Sequence, residues 1–341
     1  MRRAAQILVS VVVTGVLTYW AFRDTDWRAL WESLRSAQYA WLLPYLVILL
    51  GIHLCRTLRW GYLLAGLERV PFTPLNQASG IGFMMLLLLP FRLGEFARPF
   101  LIAQRTTIRR SAAMTTVVLE RIVDGILVAT LLRGLLFFAA DDVGGDRLRW
   151  VVYGSNLMFV VFGGGLAFLL FARWQQAKAV AGVRRVVSIV SPELADRAAD
   201  TVHHFVGALR QLPPAKDALG FLVFTLGYWG LNGFGMSLLA RAFSLPVTLF
   251  HGYVVLGVLV VSLMIPAAPG MVGTFHAGIR LGLEVFLPAA VVNSQGMAYA
   301  NVMWLAQTAQ QVGLGMLLLS TGHFSFRDVA RRLEEPETST S

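Results

Sequence analysis

Charge is scarce in this sequence: Asp, Glu, Lys and Arg make up 14% of its 341 residues, 56% are hydrophobic, and the mean hydropathy is +0.64. Soluble domains carry about 25% charged residues, so a soluble globular fold is excluded. Cysteine is nearly absent as well. The single Cys55 lies inside an apolar run, which excludes a disulfide framework and a cysteine metal site. Also missing are the phosphate-cradling GxxxxGK[ST] loop, the HExxH zinc helix and the GxSxG nucleophile turn. The run "DGILVAT" opens like the Asp-Gly motif of two-metal alcohol phosphotransferases, but the arginine and later aspartates of that chemistry do not follow. No enzymatic activity, cofactor or catalytic metal is expected.

What is present is apolar sequence in blocks, with the basic residues clustered between them. Lys and Arg number 29 against 19 Asp and Glu, a net charge of +10. That pattern fits loops retained on the cytoplasmic side of a bilayer, and no nucleic-acid partner is expected. The N-terminal run has a basic start and no small-residue cleavage site after it, so it is expected to stay as a first span. In "DTDWRALWESLRSAQY" the residues Trp27, Leu30, Trp31 and Leu34 share one stripe, away from Arg28, Glu32 and Arg35. This predicts a helix lying in the membrane interface.

Further spans are expected at 39–66, 112–139, 150–172, 217–243, 247–266 and 296–320, whereas 75–104 and 264–287 are too broken for one clean helix. The basic insert 173–216 is expected in the cytoplasm, with Leu194, Ala198, Val202, Phe205 and Leu209 predicting an amphipathic helix within it. With Met1, this insert and the tail on one side, crossing parity makes 75–104 a hairpin entered from the cytoplasm. It also requires 264–287 to complete a crossing or to dip from the outside. The expected fold is all-α and polytopic, with about 7–8 transmembrane helices, one or two re-entrant hairpins and an inverted repeat. The integral domain is expected over 1–322 and a flexible cytoplasmic tail over 323–341.

The two broken segments echo each other. "LLPFRLGEF" and "MIPAAPGMV" both place a proline, three residues and a glycine after an apolar run, as Pro90 to Gly94 and Pro266 to Gly270. Such breaks free backbone groups that lipid cannot satisfy, so they sit in protein or line a wet cavity. Paired breaks in two halves of a membrane protein point to a site between inverted repeats. Charges gather at the first break as Arg92, Glu95 and Arg98. A second set, Glu120, Arg121 and Asp124, lies inside the 112–139 span, with Glu120 and Asp124 on one helix face. Each charge within the hydrocarbon costs about 2.5–3.5 kcal/mol. Pairing is therefore expected, of Arg92 or Arg98 with Glu120 or Asp124, and of Arg121 with Glu95. Such pairs either pin the hairpin to the long helix or line a cavity whose arginines fork onto phosphate, and the two readings are compatible. The second break adds Pro269, Gly270, Gly273 and His276, and the last span adds Gln307, with Gln311 one turn on.

Taken together, "RLGEFARP", "LERIVDG" and "IPAAPGMVGTFHAG", in that order, resemble the lysylphosphatidylglycerol synthase transmembrane-region family. The resemblance runs from the first span to residue 320. It implies an integral membrane module that moves or presents lipids across a bilayer. It also implies Arg92, Gly94, Glu95, Arg98, Glu120, Arg121, Asp124, Pro266, Pro269, Gly270 and Gly273 as motif positions. Family members often carry a glutamate shortly after the second glycine motif, where this chain has Thr274, Phe275 and His276. The chain ends at Ser341, too early for the aminoacyl-transferase domain fused in some members, so lysyl-lipid synthesis is not expected of it. The expected function is binding of an anionic phospholipid, or of a lipid-linked glycan or isoprenoid, and its translocation between leaflets of the inner cell membrane. The N-terminus is expected in the cytoplasm. The alternative is a non-transporting scaffold for a lipid-modifying or glycosyl-transferring enzyme.

Overall fold

The computed structural model describes residues 2–89, 94–138, 146–189, 191–192, 194–196, 199, 213–265 and 269–321, and among these there is no strand. The helices in chain order are α1 (Arg2–Phe22), α2 (Trp27–Ser36), α3 (Leu42–Leu64), α4 (Phe72–Leu88), α5 (Ala97–Ala103) and α6 (Arg110–Phe138). They continue with α7 (Asp146–Trp174), α8 (Gln176–Val187), α9 (Ala215–Ala240), α10 (Leu249–Leu263), α11 (Val272–Glu284) and α12 (Met297–Thr321). Four stretches are long and apolar enough to cross a membrane: Tyr39–Leu64, Val152–Trp174, Ala215–Phe243 and Ala289–Thr321. Their outward faces are greasy, with Leu43, Val47 and Leu50 on α3, Val160 and Leu170 on α7, and Leu219, Leu222 and Leu226 on α9 all exposed. An apolar belt of that extent needs lipid rather than water against it.

Loop contacts sort the helix ends into two faces. On one face the Asp26 amide donates to the Asn293 carbonyl at 3.2 Å, and the Gln38 amide donates to the Ala242 carbonyl at 2.9 Å. On the same face Arg280 pairs with Asp24 at 2.7 Å and donates to the Trp20 and Ala21 carbonyls that end α1. Hydrogen bonds from Arg280 and then Arg23 hold the Asp24 carboxyl below its usual range. This contact is therefore complete above the ordinary carboxylate pKa and lost as pH falls through the lowered one. On the opposite face Glu68 accepts from the Thr107 amide at 2.9 Å, and Arg69 faces Asp217 at 3.7 Å.

Two helical hairpins enter from these opposite faces. Helices α4 and α5 both have their outer ends on the Glu68–Thr107 face, and α10 and α11 have theirs on the Asp24–Arg280 face. Helix α4 stops at Leu88 because Leu89, the residue before Pro90, takes an extended conformation, φ −91° and ψ 140°. Proline excludes the helical region for the residue that precedes it. At the second tip Gly270 has φ 78° and Met271 φ 51°. The left-handed turn is free for glycine but strained for Met271. The Trp304 indole of α12 holds it by donating to the Gly270 carbonyl at 2.8 Å.

The first tip depends on Gly94, where an added Cβ would collide with the backbone of Met85 and Leu86 in α4. Gly94→Ala is expected to cost about 1–3 kcal/mol, the usual penalty for overpacking, measured as a lower unfolding midpoint in detergent. An unchanged midpoint would show that the tip relaxes freely.

Two sequence expectations change here, and others fall outside the described residues. The span expected at 247–266 is the 15-residue α10, and the chain then turns back through α11. Apolar side chains fix only that these segments are inside, so hydropathy could not show the reversal. The stripe of α2 divides, with Leu30 buried and Trp27 and Trp31 exposed, because the helix lies across the ends of the bundle and only its leucines reach the core. The amphipathic helix expected in the basic insert falls mostly outside the described residues, as do the tail, Arg92 and Pro266.

Candidate functional site

A cavity of about 480 Å³ opens where the two tips meet, with Glu95 from the first hairpin and Gly270 and Met271 from the second in its wall. Its size falls within the roughly 300–1,000 Å³ typical of ligand sites. Its polar lining comes from Arg56 and Arg59 of α3, Glu95, Arg121 and Asp124 of α6, and Gln307, Gln310 and Gln311 of α12. Its apolar lining includes Met158 and Phe162 of α7 and Leu256, Leu259, Val260 and Leu263 of α10.

The charges in and around the cavity form one network. Glu120 and Asp124 lie four apart on α6, and the fork of Arg59 bridges them, at 2.6 Å to Glu120 Oε1 and at 2.6 and 2.8 Å to the Asp124 oxygens. Arg98 of α5 closes on Glu120 from the other side at 3.1 and 3.3 Å. The Trp229 indole of α9 donates to Asp124 at 2.8 Å. Arg59, Arg98 and Glu120 are each at most 1% exposed, so these pairs are dry and hold α3, α5 and α6 together. The flat guanidinium groups also stack on rings, Arg59 on Tyr228 at 4.4 Å and Arg98 on Trp60 at 4.3 Å. Cation–π contact adds to their hold when water is excluded. Nearer the cavity the geometry loosens, with Arg121 3.7 Å from Glu95 and 3.9 Å from Asp124, its side chain 31% exposed and that of Glu95 21%.

Among the residues singled out in the sequence, Glu95, Arg121, Asp124, Gly270 and Gln307 line the cavity, and Gln307 also donates to the Tyr45 hydroxyl at 2.9 Å. Arg98 and Glu120 lie beneath it, and Gly94 packs within its own hairpin. Three others stand apart from the cavity. Pro269 is exposed, Gly273 abuts Thr14 and Thr18 of α1, and His276 is buried between Phe22 and Trp304 with Nδ1–H donating to the Val272 carbonyl. In place of the glutamate expected from the family pattern, the Thr274–His276 stretch gives packing against α1 and α12. Arg133 donates to Asn156 of α7 at 2.8 Å. Sequence reasoning missed Arg56 and Arg59 by taking them as flanking charges. The available signal was that both precede the end of α3 at Leu64, inside the apolar segment rather than after it.

The architecture and the cavity define a polytopic helical membrane protein with a charged central chamber. The chain belongs to the lysylphosphatidylglycerol synthase transmembrane-region family, described as "Lysylphosphatidylglycerol synthase TM region", whose pattern matches residues 7–315. Comparison with curated proteins and with solved structures each returned no match.

Proposed function

We propose that this protein binds an anionic phospholipid, or a lipid-linked glycan or isoprenoid, in the central cavity and carries its headgroup between leaflets. The observation that supports this most directly is the mixed lining of the chamber. Arginines and glutamines offer donors to an acidic headgroup, and apolar side chains of α7 and α10 accompany the first methylenes of a tail. Membership of a family of membrane modules supports a lipid role.

In this reading the two hairpins are re-entrant and related as an inverted repeat, with their tips near the middle of the bilayer. Helices α5, α10 and α11 contain 7, 15 and 13 residues, below the roughly 17 needed to cross the hydrocarbon. The four long apolar stretches together with α1 and α6 then make six crossings, fewer than the 7–8 expected. The face bearing Arg69, Arg105, Arg109, Arg173 and Lys178 is assigned to the cytoplasm of the inner membrane by its basic excess, and the N-terminus lies on it.

Purified protein in phosphatidylcholine liposomes should speed leaflet exchange of a fluorescent phosphatidylglycerol at least tenfold over protein-free vesicles. Exchange at the protein-free rate would refute transport and favour the scaffold reading. Cysteines placed at 26 and 69 in a background lacking Cys55 should react from opposite sides of intact cells, and labelling from the same side would refute the topology.

A further inference from the structure

We propose that Arg56 is the residue that recognises the headgroup phosphate, and that the cavity selects a lipid whose headgroup carries a single, uncompensated phosphodiester charge. The inference rests on the lipid-binding reading above and adds to it the ligand residue and the charge of the substrate.

The described charges do not cancel. Around the chamber lie four arginines, Arg56, Arg59, Arg98 and Arg121, and three carboxylates, Glu95, Glu120 and Asp124, leaving a formal excess of one positive charge among the described residues. Three of the arginines have carboxylates within 4 Å. Arg56 has none among the described residues. It is 9% exposed, lies flat on the Phe83 ring at 3.3 Å, and has one hydrogen bond, a long one of 3.5 Å to Gln311 Oε1. Among the described residues its Nε has no acceptor, and neither has the buried donor Gln310 Nε2. Both residues line the cavity.

A buried guanidinium with most of its donors idle is costly. An acceptor carrying one negative charge and several oxygens satisfies it, and forked N–H donors suit a phosphate. The Phe83 ring, which Arg98 also approaches at 4.7 Å, holds the Arg56 guanidinium at 3.3 Å, so Arg56 is oriented before the ligand arrives. A second cation on the headgroup would add to an existing positive excess. A phosphoglycerol headgroup therefore fits better than a phosphocholine one.

The test compares wild type, Arg56→Gln, Arg56→Lys and Gln310→Leu by native mass spectrometry from detergent, with phosphatidylglycerol and phosphatidylcholine in competition. Wild type is expected to prefer phosphatidylglycerol by about tenfold or more, and Arg56→Gln to lose that preference while remaining monodisperse. Arg56→Lys keeps the charge without the fork and should retain a reduced preference. Gln310→Leu, which changes no charge, should weaken phosphatidylglycerol binding a few-fold and keeps the test open should Arg56→Gln misfold. Full preference in Arg56→Gln, or in Arg56→Lys and Gln310→Leu together, would overturn the assignment of Arg56 and leave lipid binding intact. Absence of bound lipid on wild type would overturn the lipid reading itself. Millimolar inorganic phosphate or glycerol phosphate should fail to displace the lipid; displacement would make the ligand a free anion.

Discussion

Arg59→Gln is expected to cost about 3–5 kcal/mol, the range for removing one partner of a buried ion pair, and to leave little folded protein in the membrane. Arg59 satisfies two carboxylates on successive turns of α6 with three contacts no longer than 2.8 Å, and glutamine removes that cation from both. Glu120 would retain Arg98, whereas Asp124 would keep only the Trp229 indole and Arg121 at 3.9 Å, so the penalty falls mainly on Asp124. Adding Asp124→Asn to Arg59→Gln should therefore recover part of the loss, with a coupling of about 0.5–3 kcal/mol. Arg59→Lys should behave nearly as badly as glutamine, because an ammonium is a point charge that does not reproduce the planar fork. The measurement is the thermal midpoint and monodisperse yield of wild type, Arg59→Gln, Arg59→Lys, Asp124→Asn and the double variant in one detergent. An Arg59→Gln protein with the wild-type midpoint would show that Arg59 is dispensable to the fold.

Most of the helix plan was legible because lipid-facing and buried positions are both apolar over long stretches. The helices α3, α7, α9 and α12 need only that signal. The breaks at 90–94 and 266–270 were legible from proline and glycine, since their effect on backbone is local. Direction of travel was legible at the first break, where crossing parity required a return to the same face, and not at the second. Hydropathy reads the same whether α10 continues outward or folds back on α11, and the reversal is settled by Arg280 finding Asp24 and the end of α1, far away in sequence.

The site divides in the same way. Glu120 and Asp124 stood out because charge within an apolar run is costly and their spacing places them on one face. Arg98 and Arg121 followed as neighbours of opposite sign. Arg56 and Arg59 were harder, because arginines near a helix end ordinarily snorkel to the interface. Packing of α4, α6 and α9 over the last turns of α3 turns that end into interior, a long-range fact that no window of sequence contains. His276, grouped with the second break in the sequence, is covered by Phe22 and Trp304.

The pair Glu95–Arg121 should separate binding from transport. It is the closer of the two loose contacts Arg121 makes, 3.7 Å against 3.9 Å to Asp124, and both of its side chains are partly exposed. In the proposed cycle a headgroup phosphate already held by Arg56 competes with Glu95 for Arg121, and Glu95 takes Arg121 back as the headgroup leaves. Arg121→Gln removes a cation and Glu95→Gln removes its competitor. Because the pair is partly exposed, each substitution should cost only about 1 kcal/mol or less in stability. Both should slow leaflet exchange of phosphatidylglycerol at least tenfold, yet move its binding in opposite directions, weaker in Arg121→Gln and unchanged or tighter in Glu95→Gln. A purely structural pair predicts the same phenotype for both, since either change breaks the same contact. Exchange assays in liposomes combined with lipid titration of the two variants decide between them, and equal shifts in binding, or wild-type exchange by both, would remove Glu95 and Arg121 from the transport site.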